Sequence, residues 1–74
     1  GSEDVQRKIK ESLEADQQSR VTDLHLWSLA PGKYSLIVSL LSWNGKTPSD
    51  YKQVIPSHMN VVHASIEVHT NVEG

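Results

Sequence analysis

The sequence predicts an α+β fold, a ferredoxin-like two-layer sandwich with the order α-β-β-α-β in which two helices cover one face of a three-stranded sheet. Two observations carry this. The apolar spacing changes from four to two near Arg20, and the stretches VTDLHLWSL and YSLIVSLLS are joined by the turn APGK.

Val5, Ile9 and Leu13 are spaced by four within the polar run 3–18, so the first helix presents one narrow apolar stripe. Glu3 and Asp4 precede Arg7 and Lys8 by four residues, the favourable order for ion pairs on a helix. In the turn, Pro31 fixes φ and Gly32 supplies the positive φ required next, which makes the two strands an antiparallel hairpin. Thr47-Pro48-Ser49-Asp50 carries a helix start, with Thr47 as N-cap, Pro48 at the first helical position and an acid three residues after the cap. Tyr51, Val54 and Ile55 form that helix's apolar side, and Pro56 ends it. His58-Met59-Asn60 then connects to a last strand, NVVHASIEVH.

Seventy-four residues suit a single domain over 3–74, with Gly1-Ser2 read as an expression scar. A chain this short has a thin core, which association or a bound metal would reinforce. Seven basic and nine acidic side chains give a net charge of −2 without a basic stripe, so nucleic acid is a poor candidate partner. No cysteine is present, which removes disulfides and thiolate metal sites. No window reaches the roughly 20 apolar residues of a membrane span, and neither a nucleophile elbow nor a phosphate loop is present, so the chain is read as soluble and not an enzyme.

Strand alternation places the chemistry. Leu24 and Leu26 suit the helix-covered side, which sends His25 and Trp27 to the open face; His63, Ser65, Glu67 and His69 share one side of the last strand. The middle strand is apolar on both sides, so either Ile37 and Leu41 or Leu36 and Leu40 face outward. An uncovered apolar strip beside histidines invites a second chain. A lone strand histidine is more often structural than a ligand, and His63 and His69, roughly 20 Å apart along the strand, cannot share an ion. Glu67 with His69 can chelate, and His25 is the intrachain candidate to join them if the first and third strands are close. Imidazole and carboxylate without thiolate suit Zn²⁺, Co²⁺, Ni²⁺ or Cu²⁺. His58 is read as solvated, and Trp27 and Trp43 as packing or interface anchors.

Asp23-Leu24-His25-Leu26-Trp27, the following PGKY and the terminal Val68-His69-Thr70 resemble the cytoplasmic C-terminal domain of the cation diffusion facilitator transporters, over residues 3 to about 71. The resemblance is strongest to the branch associated with cobalt, nickel and cadmium efflux. It implies a homodimeric regulatory module on the cytoplasmic face of a membrane, attached to the transmembrane domain of a metal/proton antiporter. It also implies His25 and His69 as ligands at the dimer cleft, with bound metal drawing the protomers together. Where the family often carries an acid two residues after the last histidine, this chain has Asn71; where it often has a histidine at the second helix start, this chain offers Ser49-Asp50-Tyr51. Asp50 and Glu67 are the substitutes this suggests, and His63 lies outside the family pattern.

The competing class is a free-standing ACT-like module that binds a small ligand at a dimer interface, which would require a Gly-rich loop after a first strand. An acylphosphatase-like hydrolase would need an arginine cradle; the two arginines, Arg7 and Arg20, lie in the first helix and just before the first strand.

Overall fold

The computed structural model describes residues 2–70 and contains α1 (Ser2–Leu13), β1 (Ser19–Ala30), β2 (Lys33–Ser42), α2 (Pro48–Val54), a 3₁₀ turn (Ser57–Met59) and β3 (Val61–Thr70). The order is the one the sequence predicts. β2 is the central strand, antiparallel to β1 and parallel to β3, giving a mixed sheet β1-β2-β3. Both helices lie on one face, and between them and the sheet Ile9, Leu13, Leu36, Val38, Leu40, Tyr51 and Ile66 form the core.

The apolar stripe of α1 is buried at Ile9 and Leu13 and half-buried at Val5. The helix ends five residues earlier than its polar run. Gln17 adopts a left-handed backbone (φ 59), and the Ser19 hydroxyl donates to the carbonyl of Leu13 at 2.7 Å, which satisfies a carbonyl at the helix end. The hairpin closes on the Ala30–Lys33 pair, with Gly32 at φ 71, the conformation its turn position demands. α2 starts with a complete capping box: Thr47 Oγ1 accepts the Asp50 amide and the Asp50 carboxylate accepts the Thr47 amide. Those bonds hold the Asp50 carboxyl below its ordinary pKa, the Thr47 backbone amide contributing most. Thr47→Ala should lower stability by about 1 kcal/mol in a denaturant titration. Of the apolar side expected for α2, Tyr51 is buried and Ile55 half-buried, whereas Val54 turns outward. Asn60 is left-handed (φ 55), so β3 begins one residue later than its pattern suggests.

A polar knot joins the α1–β1 turn to the β2–α2 loop. Asp16 Oδ2 accepts from Asn44 Nδ2 at 2.6 Å and Lys46 Nζ at 2.8 Å, while Asp16 Oδ1 accepts the Gln18 amide. Ser42, fully buried, donates its hydroxyl to Asn44 Oδ1 and lies 2.8 Å from the Tyr51 hydroxyl. Lys46 lowers the Asp16 carboxyl below its ordinary 3.8, helped by the Gln18 amide. A depressed carboxyl contributes stability that is complete above its unfolded-state pKa and is lost as pH falls through the folded value. Asp16→Asn should therefore flatten the acid limb of a stability-versus-pH curve below about pH 4, measured by thermal melts.

Candidate metal centre

The face of the sheet turned away from the helices carries rows of side chains in register. Trp27, Ser35 and His63 form one row; His25, Ile37 and Ser65 the next; Asp23, Ser39 and Glu67 the third; Arg20, Leu41 and His69 the fourth. The central strand thus shows Ile37 and Leu41 to the open face and buries Leu36, Val38 and Leu40, which decides between the two orientations its pattern allowed. Trp27 (43% exposed) and Ile37 (45%) remain largely uncovered.

Strict alternation alone would not produce this arrangement. Val21, Asp23 and His25 are two apart and would share a face, yet Val21 packs against the core. A bulge at Thr22 absorbs one residue: Val21 pairs with Leu40 and Asp23 with Ser39, and the Thr22 hydroxyl donates to the Ser39 carbonyl at 3.2 Å. That extra residue lets β1 pack Val21, Leu24 and Leu26, each half-buried, against the core and still turn Asp23 and His25 outward. Further bulges at Leu29 and Val62 leave those side chains about half exposed at the hairpin end of the sheet.

On the open face each edge strand holds a histidine–carboxylate pair. His25 Nε2 lies 3.1 Å from Asp23 Oδ2 on β1, and His69 Nε2 lies 2.8 Å from Glu67 Oε1 on β3. Two donors about 2.1 Å from a tetrahedral ion stand roughly 3.4 Å apart, so either pair reaches bidentate spacing by opening a few tenths of an ångström. All four side chains are more than half exposed. Asp23 was not among the sequence candidates. The signal was there, since Asp23-x-His25 has the same two-residue spacing as Glu67-x-His69.

The two pairs do not meet within one chain. β2 separates the edge strands by two strand spacings, about 10 Å, and His69 lies one row beyond Glu67, hence two rows from His25. His25 and His69 are therefore roughly 16 Å apart at Cα, so the condition on which His25 would join Glu67 and His69 within one chain is not met. Among the described residues no three of His, Asp and Glu converge on one point. His63 lies in the Trp27 row, outside both pairs. Asp50 is engaged in the α2 capping box on the helical side of the sheet, away from the histidine pairs. Asn71 falls outside the described residues. His58 is exposed in the 3₁₀ turn, whereas its neighbour Met59 is buried.

No family model matches the chain, and no curated protein sequence matches it. Among solved structures it is similar to the MamM C-terminal domain, a cytoplasmic domain of the cation diffusion facilitator family. A copper form of an Asp-to-His variant of that domain aligns over 97% of this chain and 100% of the other, with a TM-score of 0.67 at 12% identity. A His-to-Ala variant aligns equally well, with a TM-score of 0.67 at 12% identity over 97% and 100% of the two chains. A nickel form of a Glu-to-His variant covers 95% and 99% of the two chains, with a TM-score of 0.65 at 14% identity. The likeness is one of fold along nearly the whole chain. No helix among the described residues is long and apolar enough to cross a membrane.

Proposed function

We propose that this chain is a metal-responsive regulatory and dimerising domain of the cation diffusion facilitator type, attached in its full-length protein to a transmembrane transporter domain and placed on the cytoplasmic side of the membrane. The observation that carries the reading is the pair of two-donor chelates, Asp23–His25 and Glu67–His69, on an uncovered sheet face that also exposes Trp27 and Ile37. Each chelate supplies two ligands where a structural transition-metal site takes four, so a second copy of the chain provides the others. The ligand set of imidazole and carboxylate suits Zn²⁺, Co²⁺, Ni²⁺ or Cu²⁺, and the family resemblance adds Cd²⁺. The copper and nickel forms of the similar MamM structures support a divalent transition metal as the ligand class. Metal bridging the chelates of two protomers draws them together, and that closure is the signal passed to the transporter.

The test is calorimetric titration with Zn²⁺ and Ni²⁺, with oligomeric state followed by light scattering. A dimer with saturable metal binding is expected, and a chain that stays monomeric at high micromolar concentration with or without metal overturns the reading. Only neutral imidazole can donate a lone pair, so affinity should fall as pH drops from ~7.5 to ~6. An affinity independent of pH over that range would remove the histidines from the ligand set.

A further inference from the structure

Asn44 is the hub of the polar knot at the helical end of the molecule, remote in function from the metal-binding pairs, and it is followed by Gly45. We propose that Asn44 is a site of spontaneous deamidation, gated by the hydrogen bonds that hold its amide. The reaction uses this chain's own backbone and water. The Gly45 nitrogen, losing its proton to solvent base, bonds to Cγ of Asn44; the Cγ–Nδ2 bond breaks and ammonia leaves; water then opens the resulting succinimide at either carbonyl to give aspartate or isoaspartate.

Three features of the loop favour attack. Asn44 and Gly45 are both exposed. Gly45 has no side chain to obstruct its nitrogen, adopts φ 74, and has open space within 4 Å of the position a Cβ would take. Its amide donates no hydrogen bond among the described residues. The chain's other asparagines precede Val61 and Val72 in the sequence, and a β-branched residue after asparagine hinders this attack in general.

The knot opposes the same reaction in the folded state. Asn44 Oδ1 accepts from Ser42 Oγ at 2.8 Å and the Lys46 amide at 2.9 Å, and the Tyr51 hydroxyl lies 3.3 Å away. These donors polarise Cγ, but they also keep it from swinging onto the Gly45 nitrogen. Nδ2 donates to Asp16 Oδ2 at 2.6 Å, and a carboxylate there withholds the proton the departing ammonia needs. Holding therefore outweighs polarisation, and conversion waits for local opening of the loop.

The product cannot close the knot again. An acid at position 44 replaces the amide donor with an oxygen facing the Asp16 carboxylate, and Lys46 alone is left to neutralise both. Opening thus becomes irreversible, and the α1–β1 turn is released from the β2–α2 loop.

Peptide mass spectrometry after incubation in mildly alkaline buffer tests this, with the folded chain compared with the chain in urea. Conversion at Asn44 and not at Asn60 is expected in both, roughly tenfold faster in urea. Asp16→Ala, which frees Nδ2, should accelerate conversion several-fold in buffer and leave the urea rate unchanged; Asn44→Gln should abolish it. Asn44→Asp should melt below wild type. Equal rates in buffer and urea, an Asp16→Ala rate equal to wild type in buffer, or no conversion of the folded chain while the urea sample converts would each overturn the proposal.

Discussion

Leu40→Ala is expected to cost about 3 kcal/mol, within the usual range of 2–5 for a buried leucine, whereas Leu41→Ala, one residue along, should cost less than about 1. Leu40 is fully buried between the sheet and the helices, in a core that also contains Ile9, Leu13, Val38 and Tyr51, and the shallow layer of a chain this small has little freedom to collapse onto the cavity. Leu41 lies on the other face, half-buried beside His69 and Arg20. For 74 residues the total stability is on the order of 4–11 kcal/mol, so the first substitution removes a large share of it. Urea unfolding reads the contrast directly. Equal losses at the two positions would mean that the register, and with it the whole open face, is wrong by one residue. If copies associate through that face, the Leu41→Ala cost should also grow with protein concentration, because the lost contact then lies between chains.

This contrast marks where the sequence was informative. The turn chemistry of Pro31-Gly32, the capping box at Thr47 and Asp50, and the i, i+4 stripe of α1 are local signals, each set within a few residues, and each is found in the fold. The orientation of β2 was not legible, because YSLIVSLLS is apolar at both parities. It is decided by the parity of its neighbours: Leu24 and Leu26 on one side and Ala64 and Ile66 on the other must meet the same helical layer. Strand order was hidden for a related reason. Nothing in the pattern of β1 or β3 says that β2 lies between them, and that single fact separates His25 from His69. The bulge at Thr22 left no compositional mark either, since Thr is an ordinary strand residue; its trace is an apolar residue, Val21, at the parity of the polar set. For the candidate site, the spacing of the individual chelates was therefore readable and their mutual placement was not.

The largest functional effect is expected in metal-dependent thermal stability. A ligand binding only the folded state adds RT ln(1 + [L]/Kd), about 2.7 kcal/mol at a hundredfold excess over Kd, which for a domain of this size raises the melting temperature by roughly 10 °C. Wild type should show such a shift with Zn²⁺ or Ni²⁺, and Trp27, two residues from His25 on the same exposed face, should report the event through its fluorescence. Where chelates of two protomers share one ion, His25→Ala and His69→Ala should each remove most of the shift, and so should Asp23→Ala if the carboxylate of the first pair is a ligand. His58→Ala should leave it intact, because the 3₁₀ turn lies outside the open-face rows, and Asp50→Ala should lower the metal-free melting temperature through the lost cap while preserving the shift. The double variant separates two arrangements that the roughly 16 Å between the histidines leaves distinct. If chelates of two protomers converge on one ion, His25 and His69 act as a unit, and the double variant should lose scarcely more than either single one. If each chelate recruits its own ion with its symmetry mate, each single variant should remove only about half of the shift and the losses should add. A wild-type shift retained in full by both single variants would take the histidine pairs out of the site altogether.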